Sequence, residues 1–199
     1  MKMNKTDLAK VYFPFPPKDL SQEFSDYACV SVILKFDSKG PHLAFIKRAI
    51  NPKDPWSGQI AFPGGRKEAQ DKNDFETAQR ETFEEVGWEL QTEHFLGYLT
   101  DLRARNKSGW QNFFLRPVVF FTNSDFATTK LDAAEVAEVF WLPISYLADQ
   151  QHSTTIAVVD RGLNLPAIRL PDGAVLWGLT HLIVSELIQR LGDVGMTFK

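Results

Sequence analysis

The sequence predicts an α/β fold. Short β-rich apolar runs recur along the chain, and two segments carry apolar or charged residues at helical spacing instead. At 199 residues one hydrophobic core is enough. From the N-terminus, Phe13-Pro14-Phe15-Pro16-Pro17 cannot be regular helix, because proline lacks the N–H and its ring clashes with the preceding turn. Residues 1–27 therefore read as a Pro-rich extended arm, and residues 28–199 as a single domain. Residues 28–36 (ACVSVILKF) and 42–47 (HLAFIK) are strand-like and flank Asp37-Ser38-Lys39-Gly40, a hairpin signal. Ile60 to Phe62 is a short strand running into Pro63-Gly64-Gly65. A helix is expected over 74–86, with Asp74 as its N-cap and Gly87 as the glycine that ends it. Strands follow at 95–99, 113–121 and 136–141. Residues 176–191 form an amphipathic helix in which Leu179, Ile183, Leu187 and Leu191 recur on one face and Trp177 opens the first turn. No repeat or low-complexity segment interrupts this order.

Composition narrows the function classes. The formal net charge of −3 gives no electrostatic footprint for nucleic acid or for an anionic membrane surface. No apolar run approaches the roughly 18 residues that span a bilayer. The N-terminal residues lack the apolar centre of a signal peptide. Cys29 is the single cysteine, so no intrachain disulfide forms, and its apolar surroundings suit a small buried hydrophobe rather than a nucleophile. A reducing cytoplasm is the expected compartment.

The chemistry concentrates in residues 64–88, GGRKEAQDKNDFETAQRETFEEVGW. On a helix, Glu81, Glu84 and Glu85 lie at i, i+3 and i+4 and share one face, with Glu76 close by. Like charges so placed repel, so the cluster either faces solvent or receives a cation. Oxygen-only ligands select a hard ion, Mg²⁺ or Mn²⁺, which characteristically bridges carboxylates and substrate phosphates.

The segment resembles the Nudix box, the signature of the Nudix hydrolases. Gly65 fits its first glycine, Arg80-Glu81 its central pair, Glu84-Glu85 its second pair and Gly87 its last glycine. Asp71 stands where the first Glu of the pattern belongs, with one extra residue before Arg80; Thr82 replaces an aliphatic residue, and Trp88 takes the final apolar place. The resemblance implies a Nudix-type α/β/α sandwich with a mixed β-sheet. It implies Glu81, Glu84 and Glu85 as metal ligands, a backbone carbonyl near Gly64 as a further one, and cleavage of a diphosphate. Arg80 is expected to orient Glu84 or a neighbouring carboxylate by a charge-assisted hydrogen bond. The general base is placed on Glu135 or Glu138, ahead of Trp141, with Glu84 as the fallback. The catalytic set is then Glu84, Glu135 and Arg80.

Arg48, Ala49, Gly58 and Phe62-Pro63-Gly64-Gly65 are similar to the coenzyme A pyrophosphatase branch of that family. So are the shape of the box and Leu176-Trp177-Gly178-Leu179-Thr180. Lys53 holds the place of a second Arg, and one more residue precedes Gly58; Arg and Lys differ where planar bidentate contact to phosphate is needed. The implied substrate is a nucleoside diphosphate derivative, CoA or an acyl-CoA first. A nucleotide sugar, a dinucleoside polyphosphate or an oxidised nucleotide is the rival, and a non-catalytic nucleotide-binding module the alternative class. Substrate contacts are expected from Arg48, from Arg66 and Lys67 beside the glycine turn, and from Arg103 and Arg105 in a basic segment that otherwise reads as a solvated loop. Trp56 and Trp110 suit base stacking or packing. The four histidines show no metal-ligand spacing. A homodimer is the expected assembly, with the Pro-rich arm crossing between subunits.

Overall fold

A computed structural model describes residues 11–12, 14–38, 40–54, 56–106, 109–123, 131–158 and 162–197, with the Asn106 side chain left aside. A mixed sheet is built from β1 (Tyr27–Asp37), β2 (Gly40–Arg48), β3 (Ile60–Ala61), β4 (Gly64–Arg66), β5 (Phe95–Tyr98), β6 (Leu102–Asn106), β7 (Gly109–Thr122) and β8 (Val136–Pro143). The strand order is β3-β2-β1-β7-β5, with β4 on β1, β6 on β7 and β8 on β2. β1 and β7 run parallel and the remaining pairs run antiparallel. A second, antiparallel sheet has the order β11-β10-β9, from β9 (Ser153–Val158), β10 (Leu163–Arg169) and β11 (Val175–Trp177).

β1 is central and buried on both faces, which is why it reads as a continuous apolar run rather than an alternating one. Cys29 and Ile33 pack with Ala78, Val86 and Trp88 on the side of α1 (Asp74–Val86). Val30, Val32 and Leu34 point the other way. They join Ile183, Val184, Leu187 and Leu191 of α3 (Gly178–Asp193). The sheet thus lies between two helices, the α/β/α sandwich expected. A short helix, α2 (Ile144–Ala148), follows β8. Burial leaves Cys29 fully inside and pushes its thiol well above its usual range, as befits a packing residue.

Four features differ from the sequence expectations. Of the expected arm, residues 1–10 and 13 lie outside the described residues; Val11 and Tyr12 are buried in the core on the α3 side, and Leu20 is buried as well. Residues 102–106 form a strand, because β7 extends back to Gly109 and the two make a hairpin. Residues 153–158, 163–169 and 175–177 form a whole sheet, the apolar sides of its strands too short to signal themselves before α3 packs on them. The last helix begins at Gly178 with Trp177 as its cap residue, still paired to Ala167 in β11.

Candidate metal and active site

The acidic helix owes its position to both ends. Asn73, not Asp74, is the N-cap: its side chain accepts the Glu76 N–H at 2.9 Å. Asp74 is drawn away to the Tyr27 hydroxyl (2.7 Å) and the Arg116 guanidinium (2.8 Å). At the other end Gly87 adopts φ 72° and donates to Phe83 O. The buried face carries Thr77, Ala78, Thr82, Glu85 and Val86. Thr82 fits there because its hydroxyl donates to Ser31 Oγ at 2.7 Å, and the Ser31 hydroxyl donates in turn to Ala78 O at 3.1 Å. The polar residue inside the β1 run and the polar residue inside the helix pattern satisfy each other.

The two glycines of β4 are needed for different reasons. A side chain on Gly64 would collide with Cys29 O and with the Val30 Cα, and φ 150° excludes one in any case. A side chain on Gly65 would collide with the Glu81 carboxylate, which lies directly against its Cα. The turn therefore brings backbone to carboxylate. Gly64 N–H donates to Glu85 Oε2 at 2.9 Å.

Glu85 is 2% exposed. Burial pushes its pKa up to about 8; the Gly64 N–H and Arg48 oppose that rise, and Glu81 and Glu135 add to it. Glu81 is also raised, first by burial, with Arg80 opposing and Glu84 and Glu135 reinforcing. Arg80 organises the rest. Its Nη1 donates to Glu81 Oε1 (2.9 Å) and Glu84 Oε2 (3.0 Å), its Nη2 to Arg66 O (3.0 Å), and its Nε and Nη2 grip Asp71 at 3.0 Å each. Asp71 is buried and held down to about 2, chiefly by Arg80. The role that the box shape left open for Asp71 is thus a brace on Arg80.

The donor chemistry suits a hard divalent ion: carboxylates only, on one helix face, carrying more negative charge than Arg80 and Arg48 offset. Glu81 and Glu84 turn towards Arg80 and Glu85 towards Gly64, so among the described residues no three carboxylate, imidazole or thiolate groups converge on one point. Glu135 stands beside the cluster, near enough for its charge to act on both Glu81 and Glu85. It is held there by Ala49 N–H donating to Glu135 O at 2.8 Å and by Asp132 N–H donating to Glu85 O at 3.0 Å. Glu138 instead lies on β8 opposite Lys47.

The basic candidates divide. Arg48 faces the cluster, but its guanidinium is bonded to Asp54, a partner that the sequence reading missed. Arg66 pairs with Asp26 and lies over the Phe113 ring, and Lys67 Nζ donates to Asp71 O. Arg103 and Arg105 are not brought to the carboxylates. They sit against Trp110 on the β6–β7 hairpin, where β7 meets the start of β1 and the first turn of α1. Asp74 and Glu85 are separated by about 16 Å of helix at 1.5 Å per residue. Sequence reading also missed Arg116, buried in β7 and bonded to Asp19, Asp74 and Asp101. Its one sequence signal is a cation within the apolar run LRPVVFF. Among the histidines, His42 lies near Asp37, His94 caps a turn at Gln91, His152 stacks on Tyr146 and His181 lies beside Ser185.

Comparison with known proteins agrees with this geometry. A family model described as the NUDIX domain matches residues 27–161. The chain is 30% identical over 183 residues to the Nudix hydrolase NudL of Photorhabdus laumondii, covering 92% of this chain and 93% of that protein. It is 29% identical over 155 residues to the mitochondrial coenzyme A diphosphatase NUDT8 of Mus musculus, covering 76% and 70%. A Schizosaccharomyces pombe protein is 33% identical over 120 residues, 59% of this chain; the chain spans 36% of that relative's length. Among solved structures, a MutT/nudix family protein from Enterococcus faecalis superposes with a TM-score of 0.59 at 18% identity, over 84% of this chain and 62% of the other. The NUDIX domain of Shewanella oneidensis NrtR, complexed with ADP ribose, superposes with a TM-score of 0.56 at 14% identity, over 83% and 87%.

Proposed function

The chain belongs to the Nudix hydrolase family, and from that premise we propose that it is a divalent-metal-dependent hydrolase of a nucleoside diphosphate derivative. The observation that carries this is the placing of Glu81 against Gly65 and of buried Glu85 on the Gly64 N–H, with Glu84 on the same Arg80 as Glu81 and Glu135 near enough for its charge to act on Glu81 and Glu85. Glu81, Glu84 and Glu85, with the Gly64 carbonyl, would hold Mg²⁺ or Mn²⁺. Such an ion cancels the repulsion between anionic substrate and anionic helix, polarises a phosphoryl oxygen and lowers the pKa of water. Arg80, braced by Asp71, fixes the carboxylates. Glu135 is the general base on this reading, being exposed and beside the cluster, with Glu84 next.

CoA or an acyl-CoA is the substrate we favour, with 3′,5′-ADP and 4′-phosphopantetheine or its acyl form as products. The Arg48-Ala49, Gly58 and Phe62-Pro63-Gly64-Gly65 positions support it, as does the similarity to a named coenzyme A diphosphatase. One observation favours a second reading, a nucleotide sugar, a dinucleoside polyphosphate or an oxidised nucleotide: Asp54 takes the Arg48 guanidinium that would grip a CoA phosphate. A non-catalytic binding module is disfavoured by the presence of all three box glutamates.

Residues 28–199 as one domain, a cytoplasmic setting and a homodimer complete the reading; a gel-filtration mass equal to one chain would remove the dimer. Among the described residues no helix is long and apolar enough to cross a membrane. The test is incubation with CoA, acetyl-CoA, NADH, ADP-ribose, diadenosine polyphosphates and nucleoside triphosphates, each with Mg²⁺, Mn²⁺ or EDTA. Metal-dependent release of 3′,5′-ADP from CoA is expected. Turnover of another diphosphate alone would discard CoA and keep the chemistry; no turnover would return the binding module.

A further inference from the structure

Residues 49–54 and 56–59 belong to a connection between β2 and β3 that is rooted beside Glu135. Arg48 N–H donates to Gln59 O at 2.9 Å, and Ala49 N–H donates to Glu135 O at 2.8 Å, so both roots are tied next to Glu135. Inside the loop Asp54 is the hub. Its Oδ2 accepts from Arg48 Nε (2.9 Å) and Nη2 (2.7 Å), and its Oδ1 accepts the Trp56 N–H (3.0 Å). Asn51 N–H to Ser57 Oγ (2.8 Å), Lys53 N–H to Asn51 Oδ1 (3.0 Å), Ser57 N–H to Asp54 O and Gln59 N–H to Trp56 O (3.1 Å each) close the turns. The Arg48 and Asp54 side chains are only 26% and 15% exposed. A pair so enclosed is a strut: its two charges satisfy each other, and separating them would strand both.

That strut presents Trp56, whose large apolar side chain stays 42% exposed. A half-open indole on a braced loop whose root is tied to Glu135 offers a flat, preorganised surface. Trp110, the other exposed tryptophan, is differently placed. It lies on the β6–β7 hairpin with Arg103 and Arg105 against its ring.

We propose that Trp56 is the stacking platform for the heteroaromatic base of a nucleotide substrate, and that the Arg48–Asp54 pair is a positioning device for it rather than a phosphate grip. The inference rests on the hydrolase reading for turnover but not for binding. The test combines AMP binding by calorimetry with steady-state kinetics on whichever base-containing diphosphate the wild type cleaves and on P1,P2-dimethyl diphosphate, which has no base. Trp56→Ala is expected to weaken AMP binding and raise KM for the base-containing substrate about tenfold, with kcat and the base-free substrate unchanged. Trp56→Phe should recover most of the loss. Asp54→Asn and Arg48→Lys should shift the same KM in the same direction, because each loosens the strut. Unchanged AMP affinity in Trp56→Ala, equal losses on both substrates, or a wild type that does not bind AMP would each overturn the proposal. A wild type that binds AMP through Trp56 but cleaves nothing would refute the hydrolase reading and leave the platform standing.

Discussion

Glu85 and Gly64 meet across the gap between the acidic helix and β4, the carboxylate Oε2 accepting the glycine N–H at 2.9 Å. A glutamine at position 85 can keep that hydrogen bond and the packing while losing the charge. Glu85→Gln is therefore expected to cut metal-dependent turnover at least ~100-fold while leaving the melting temperature at or above the wild-type value. Wild-type rates in the variant would remove Glu85 from the metal set.

The neighbouring glycines separate fold from site. Gly64→Ala forces a methyl into the β1 backbone at a positive φ and is expected to cost about 2–4 kcal/mol in chemical denaturation. The nearest atoms to a methyl on Gly65 belong to the Glu81 carboxylate, the far end of a flexible side chain, so Gly65→Ala should fold nearly normally and lose turnover by displacing that side chain. Equal destabilisation of the two variants would show that Glu81 cannot give way.

Asp71 supplies a pH signature. Arg80 holds its carboxyl down to about 2 from an ordinary value of 3.8. A pKa lowered by folding gives stability that is complete above about 4 and lost as pH falls from there through about 2. The wild-type advantage in melting temperature over Asp71→Asn should thus be constant at neutral pH and shrink across that acid window. A difference independent of pH down to 2 would mean that the brace is not ionic.

Arg116 is buried and bonded to three aspartates, and Asp101 behind it also accepts the Leu20 N–H. Arg116→Met leaves that carboxylate without its cation and is expected to cost about 3–5 kcal/mol. Because Asp101 and Asp19 tie residues 18–21 to the sheet, limited proteolysis near Leu20 should accelerate in the same variant.

Replacing Glu135 with Gln addresses the base. A sharp fall in turnover with KM little changed is expected from the exposed carboxylate beside the cluster. An unchanged rate would move the role to Glu84.

The sequence alone determined the elements that carry their own signal. Helix 74–86 was legible, its cap residue apart, because its charge spacing and terminal glycine are local, and β1, β2 and β8 because their strands are rich in apolar residues. The three box glutamates and Gly65 were legible for the same reason: spacing along one helix is fixed by its pitch. What tertiary structure decided are relations between residues distant in sequence. Asn73 became the cap because Tyr27 and Arg116 claimed Asp74. Thr82 was acceptable because Ser31, 51 residues away, faces it. Residues 102–106, 153–158, 163–169 and 175–177 became strands only when partners supplied their hydrogen bonds. Whether a cation grips phosphate or aspartate is likewise decided in space: Arg48 looks available in the sequence, and the fold gives it to Asp54. A side chain's identity fixes which contacts it can make, but only the packed chain fixes which partner lies within hydrogen-bond reach.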